Sequence, residues 1–98
     1  MSGKISVTRS ENKTTISITG RFTFRMTEQF RDVYQNESPS QQFTVDLAGT
    51  QEIDSSGLGM LLLLSEYADA PGVELINANP RVRQAIEMAN ISGLFKMA

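Results

Sequence analysis

The chain has 98 residues, a net charge of −2 and a pI of about 5.0, and it contains no cysteine, histidine or tryptophan. Disulfides, thiolate metal sites, thiol nucleophiles and imidazole bases are therefore excluded, and so is a histidine phosphorelay donor. A hydrophobic fraction of 40% with 20% charged residues is that of a chain that folds, and its length suits one domain over residues 1–98. The acidic balance argues against a nucleic-acid binder, which would carry a surplus of Lys and Arg.

In chain order, Ile5 and Val7 alternate with polar residues, as do Ile16 and Ile18. With Glu11-Asn12-Lys13 between them as a turn, they predict an antiparallel hairpin of Lys4–Arg9 with Thr14–Thr19 that shows one face to water. Gly20 is expected to end the second strand. Met26, Phe30, Val33 and Tyr34 recur at helical spacing and predict an amphipathic helix over roughly Met26–Gln35. Asn36 to Gln42, polar with Pro39 inside, reads as a loop. Phe43, Val45 and Leu47 predict a third strand, and Thr50 to Asp54 a short link leading from it.

A second helix is expected to start at Ser56 or its neighbour and run to about Ala70, with Pro71-Gly72 ending it. Its run from Leu58 to Leu64 is apolar nearly all round, so most of it should be covered. Val73 to Ala78 reads as a fourth strand. Asn79-Pro80 reads as an N-cap followed by proline at the first helical position. Val82, Ile86 and Ala89 give a third helix its apolar stripe. Gly93 breaks it, and Leu94-Phe95 can tuck back. The predicted order is β-β-α-β-α-β-α, an α/β domain with a four-strand mixed sheet and helices mainly on one face. No signal-peptide core follows Met1 to Lys4, and the longest run free of polar side chains, Gly57 to Leu64, is too short to span a bilayer. The expectation is a soluble cytoplasmic chain with no direct membrane binding.

Charge is unevenly placed. Lys4, Arg9, Lys13, Arg21, Arg25 and Arg31 all precede a long stretch without Lys or Arg that ends at Arg81. That stretch carries Asp32, Glu37, Asp46, Glu52, Asp54, Glu66, Asp69 and Glu74. It reads either as a solvated surface or as an acidic face for a basic partner. With no cation nearby in sequence, it is not expected to bind nucleotide or free phosphate.

The segment with unusual chemistry is Asp54-Ser55-Ser56-Gly57-Leu58-Gly59, where a strand gives way to a helix. The amides of a first helical turn lack partners and carry partial positive charge. One reading is structural: a serine N-cap with glycines that allow close packing. The other is that one serine accepts a phosphoryl group, which free amides and the helix dipole would tolerate and which would repel a docked partner. A hydrolytic serine is not expected. There is no histidine base, no G-x-S-x-G pattern, and only the distant Lys4, Lys13 or Lys96 for a Ser–Lys pair. No phosphate-binding G-x-x-x-x-G-K-[ST] string occurs. Asp54 alone is a weak Mg²⁺ ligand, so neither metal nor cofactor is expected. Phe22, Phe24 and Met26 read as core, with an exposed apolar patch beside the serines as the alternative. Met60 and Met88 read as core fillers, and Arg81 and Arg83 as a solvated face.

This segment, following Val45-Asp46-Leu47, resembles the signature of STAS domains (sulphate transporter and anti-sigma factor antagonist). Ile18-Thr19-Gly20, Ala78-Asn79-Pro80-Arg81-Val82-Arg83 and Ile91-Ser92-Gly93-Leu94-Phe95-Lys96 extend the likeness over nearly the whole chain. The branch it most resembles is that of the small bacterial anti-sigma factor antagonists. The resemblance implies a phosphorylation-switched partner-switching regulator and not an enzyme. Unphosphorylated, it would bind an anti-sigma factor that doubles as a serine/threonine kinase, or a similar regulator. Phosphorylation of Ser55, with Ser56 the less favoured acceptor, would break the complex, and a metal-dependent serine phosphatase would restore it. Asp54, Ser56, Gly57, Leu58, Gly59, Thr23 and Phe24 are the implied partner-binding residues. Thr23 stands where the family often has an acidic residue. The family commonly continues past Gly-Leu-Phe into a further element, expected here to be missing or minimal. The alternative within the resemblance is a constitutive accessory subunit of a phospholipid-transport ABC system, docking on its ATPase without phosphorylation.

Overall fold

The structure is a computed structural model that describes residues 3–69 and 72–98. The alternation seen in the sequence becomes a five-stranded sheet in the spatial order β1-β2-β3-β4-β5. Strands β1 (Lys4–Arg9) and β2 (Lys13–Phe22) form the antiparallel hairpin, with Ile5 opposite Ile18 and Val7 opposite Ile16. β3 (Gln42–Ile53) runs parallel to β2. β4 (Val73–Ile76) is parallel to β3, and β5 (Phe95–Met97) parallel to β4. The helices are α1 (Thr27–Gln35), α2 (Ser55–Tyr67) and α3 (Pro80–Met88).

All three helices share one core with one face of the sheet. Ile16, Ile18, Phe43, Val45, Leu47, Val73 and Leu75 meet Phe30 and Tyr34 of α1, Leu61 and Leu64 of α2, and Val82 and Ile86 of α3. Phe22, Phe30, Tyr34, Tyr67 and Phe43 form a chain of tilted or edge-on ring contacts with centroids 5.1 to 6.3 Å apart. The opposite sheet face is polar. There Thr44 donates to the Glu74 carboxylate at 3.1 Å and Asn77 donates to that of Asp46 at 3.1 Å. One helical layer on a one-sided sheet gives a body 19 Å thick and about 30 Å in its other dimensions.

Four expectations need correction. The sheet has five strands, not four. β5 is only three residues long, too short to show alternation, yet Phe95 pairs with Val73 and lies in the core, 7% exposed. Gly20 does not end β2. With φ of +86° it carries the strand through an irregularity, a conformation open to glycine. The stretch after Leu47 is strand as far as Ile53, not a link. The register slips between Ser17 and Thr19, and the buried Thr50 hydroxyl donates to the Ile18 carbonyl at that slip, at 2.8 Å. Finally, α2 ends at Tyr67 rather than near Ala70, with the Ala68 amide bonded to the Leu64 carbonyl at 3.0 Å. The proposed Pro71 stop lies outside the described residues.

If β5 closes the core and does not merely fray along it, Phe95→Ala should cost about 3 kcal/mol by urea denaturation, with the far-UV spectrum of the remaining fold retained.

Candidate functional site

In an open α/β sheet, chemistry collects at the carboxyl ends of parallel strands. Here β2 and β3 end side by side, with Arg21 level with Glu52 and Phe22 level with Ile53. The chain after β3 turns directly into α2. Asp54, extended at φ −105° and ψ −175°, is the N-cap. Its carboxylate accepts the Gly57 amide at 3.0 Å and its carbonyl accepts the Leu58 amide at 3.0 Å. Its own amide donates back to the Phe22 carbonyl at 3.4 Å. The cap is thus the aspartate and not a serine: an ionised carboxylate can accept the amide and also complement the positive helix end.

Relieved of capping, Ser55 occupies the first helical position and is exposed, while Ser56 beside it is half-buried. Among the described residues neither hydroxyl is engaged in a side-chain hydrogen bond. Four and eight residues on, Gly59 and the 52%-exposed Leu63 continue the face that Ser55 begins. A Cβ at Gly59 would meet no atom within 4 Å, so the surface beside Ser55 is bare and open to a visitor. Gly57 is different. It is buried, and a Cβ there would lie 2.5 Å from the Phe22 carbonyl oxygen and 2.6 Å from Cγ1 of Ile53. Its close approach is internal, seating the helix end on β2 and β3. Leu58 is partly buried against the core. The exposed Leu63 also shows that α2 is less fully covered than its composition suggests.

The segment after β2 supplies the other wall. A single 3-10 turn, Phe24–Met26, precedes α1 and sends neighbouring side chains in opposite directions. Phe22 and Met26 enter the core, whereas Phe24 is 64% exposed. Thr23, Phe24 and Asp54 border an open cleft of about 460 Å³ together with Arg21 and Arg25. Arg21 pairs with Glu52 at 3.4 Å. Arg25 lies over the Phe24 ring, 5.6 Å from its centroid, and has no carboxylate partner among the described residues. The two arginines were not expected beside Asp54, from which they are distant in sequence. The parallel pairing of β2 with β3 brings them there, so cations do adjoin the acidic middle of the chain. Arg81 opens α3 and is exposed, Met60 is buried, and Met88 is an exposed residue of α3 rather than a core filler.

The two glycines should separate experimentally. Gly57→Ala is expected to destabilise the fold by about 1 to 3 kcal/mol through overpacking. Gly59→Ala should be neutral or stabilise by up to about 1 kcal/mol. Urea denaturation of both variants measures the difference.

Comparison with known proteins agrees with this architecture. A family model described as "Mlab, STAS domain" matches residues 5–96. A STAS-domain containing protein of Pseudomonas aeruginosa (strain UCBPP-PA14) is 39% identical over 87 residues, covering 86% of each chain. Among solved structures, an anti-sigma factor antagonist from Mycobacterium paratuberculosis superposes with a TM-score of 0.83 at 18% identity, over 98% of this chain and 85% of that one. The Bacillus cell fate determinant SpoIIAA in its phosphorylated form superposes with a TM-score of 0.72 at 16% identity, over 97% and 91% of the two chains. The match to a family model over nearly the full length, on a fold whose aspartate-capped α2 opens with two serines after a parallel strand, establishes that the chain belongs to the STAS domain family.

Proposed function

We propose that this STAS domain is a partner-switching regulator controlled by phosphorylation of Ser55. In its unphosphorylated form it binds and sequesters an anti-sigma factor that is also a serine/threonine kinase, or a related regulator. The observation that carries the reading is the placement of Ser55: exposed, at the first position of a helix whose cap is supplied by Asp54. The hydroxyl can be modified without removing the cap, and the adjoining surface at Gly59 leaves room for a second protein.

In the transfer, Ser55 Oγ attacks the terminal phosphorus of a nucleoside triphosphate held by the kinase. The Oγ–P bond forms as the bond to the diphosphate breaks, and the hydroxyl proton passes to the kinase's base. The chain is then a substrate and needs no cofactor of its own. The product carries a further charge of −1.5 to −2 on a surface that previously touched the partner. Repulsion and the cost of desolvating that charge release the complex, and a metal-dependent serine phosphatase restores the hydroxyl. Two supports come from neighbours: several are anti-sigma factor antagonists, and SpoIIAA has been solved unphosphorylated and phosphorylated, both forms superposing on this chain with a TM-score of 0.72. Thr23, Phe24, Ser56, Leu58 and the bare face at Gly59 would form the docking surface around Ser55, with Asp54 and Gly57 holding it in place.

Ser55→Asp should weaken partner binding by about 1 kcal/mol or more, while Ser55→Ala should bind as the natural chain does and resist inactivation by the kinase. Calorimetry with the partner captured from the host measures both, and wild-type binding by both variants would sink the switch. Mass spectrometry of the chain from its host should place phosphate on Ser55 rather than Ser56. Co-purification with an ABC-type ATPase, with no phosphate on either serine, would instead assign the constitutive accessory role.

A further inference from the structure

Resting on Ser55 as the phosphoacceptor, we propose that the cleft bordered by Asp54, the N-cap of α2, is an arginine clamp that captures the Ser55 phosphoryl group within the same molecule. Arg25 would be its principal cation, with Arg21 and Thr23 beside it. Three observations bear on this. The first is reach. β2 and β3 are still abreast at Phe22 and Ile53, and the Asp54 amide still donates to the Phe22 carbonyl at 3.4 Å. The residues that follow, Thr23 to Arg25 after β2 and Asp54-Ser55 after β3, therefore start about one strand spacing, ~4.8 Å, apart. An arginine side chain spans such a gap.

The second is the state of the cations. Arg25 has no carboxylate partner among the described residues and rests on an exposed phenyl ring, a weak contact beside a charge-assisted bond to phosphate. Arg21 is held by a solvent-exposed pair with Glu52 and can exchange partners. The third is the cleft itself. It is open, about 460 Å³ in volume, and lined by Arg21, Thr23, Phe24, Arg25 and Asp54, which Ser55 directly follows. A phosphoserine supplies three strong acceptor oxygens that match the planar fork of arginine. Asp54 and Glu52 oppose the capture by like charge, the first through the cap and the second through Arg21.

The consequence for the switch is that release does not depend on repulsion alone. Capture draws Arg25 off Phe24 and fills the cleft, so a partner loses the serine surface and the adjoining aromatic and cationic surface in one step. The phosphorylated form is also stabilised internally, which lets it persist in the absence of a partner.

The test uses the full chain with phosphoserine installed at position 55 by an expanded genetic code. Its second ionisation is followed by ³¹P NMR. Capture predicts a pKa at least half a unit below the ordinary value of about 6. Arg25→Gln should raise it back toward that value. Lys96→Gln, which removes one cation from β5 at the far edge of the sheet, should leave it unchanged. Overlapping amide spectra of the unphosphorylated variants check that each is folded. An ordinary pKa in the natural chain overturns the clamp, and so does an equal response to the two substitutions, which would report only the general field. Saturable shifts of the arginine side-chain resonances on adding inorganic phosphate to the unmodified chain, with an ordinary pKa at phosphoserine 55, would assign the cleft to a free oxyanion and overturn capture in cis. Because the phosphoserine is installed, failure here leaves Ser55 standing as the acceptor. That reading fails separately, if phosphate from the host is absent from Ser55.

Discussion

The arrangement depends on one close contact, that of the first turn of α2 with the end of β2. Gly57 brings the helix backbone so near the Phe22 carbonyl that no side chain fits between them. Asp54 locks the same turn by accepting the Gly57 amide and donating its own to Phe22. Everything distinctive about the site follows from this seat. The helix leaves the sheet at a fixed point, the capping duty falls to Asp54, and Ser55 is left exposed on a rigid element. A serine that had to cap the helix would have its oxygen occupied by backbone amides and would be a poor acceptor for a phosphoryl group.

The rest of the molecule holds that junction still. Two consecutive irregularities between β2 and β3 lie just before it, one crossed by Gly20 and one relieved by the Thr50 hydroxyl on the Ile18 carbonyl. Below them the helices cover a single face of the sheet. The other face satisfies itself with polar pairs such as Thr44 with Glu74 and Asp46 with Asn77. Because α2 is apolar nearly all round while only one side of it meets the core, leucine is left at the surface at Leu63. Phe24 is also presented to water, on the loop beside the helix start. An exposed hydroxyl, a bare glycine and exposed apolar side chains are thus grouped around the start of α2.

Electrostatics at this surface are local. The chain is acidic overall and its middle third more so, yet the cleft at Asp54 is bordered by Arg21 and Arg25. Net charge describes solubility and long-range encounter. It says little about a cleft assembled from two distant segments. Thr23, which lines the same cleft, brings no carboxylate for those arginines to pair with.

Much was legible in the sequence because it is recorded locally. The hairpin follows from the alternation of Ile5, Val7, Ile16 and Ile18, α1 from Met26, Phe30, Val33 and Tyr34 at helical spacing, and the start of α3 from Asn79-Pro80, where the Asn79 carboxamide accepts the Val82 amide at 2.8 Å. The Asp54 to Gly59 segment marked the site by composition alone. What only the tertiary structure decided depends on which strands lie beside each other. β5 is too short for a period and exists because Val73 offers an edge and the core has room for Phe95. Phe22, Phe24 and Met26 share a strand-like spacing, and a 3-10 turn rather than any property of phenylalanine sends Phe24 outward. Above all, the meeting of Arg21 and Arg25 with Asp54 is a matter of parallel register between β2 and β3, a long-range pairing of which no short window of the chain carries a trace.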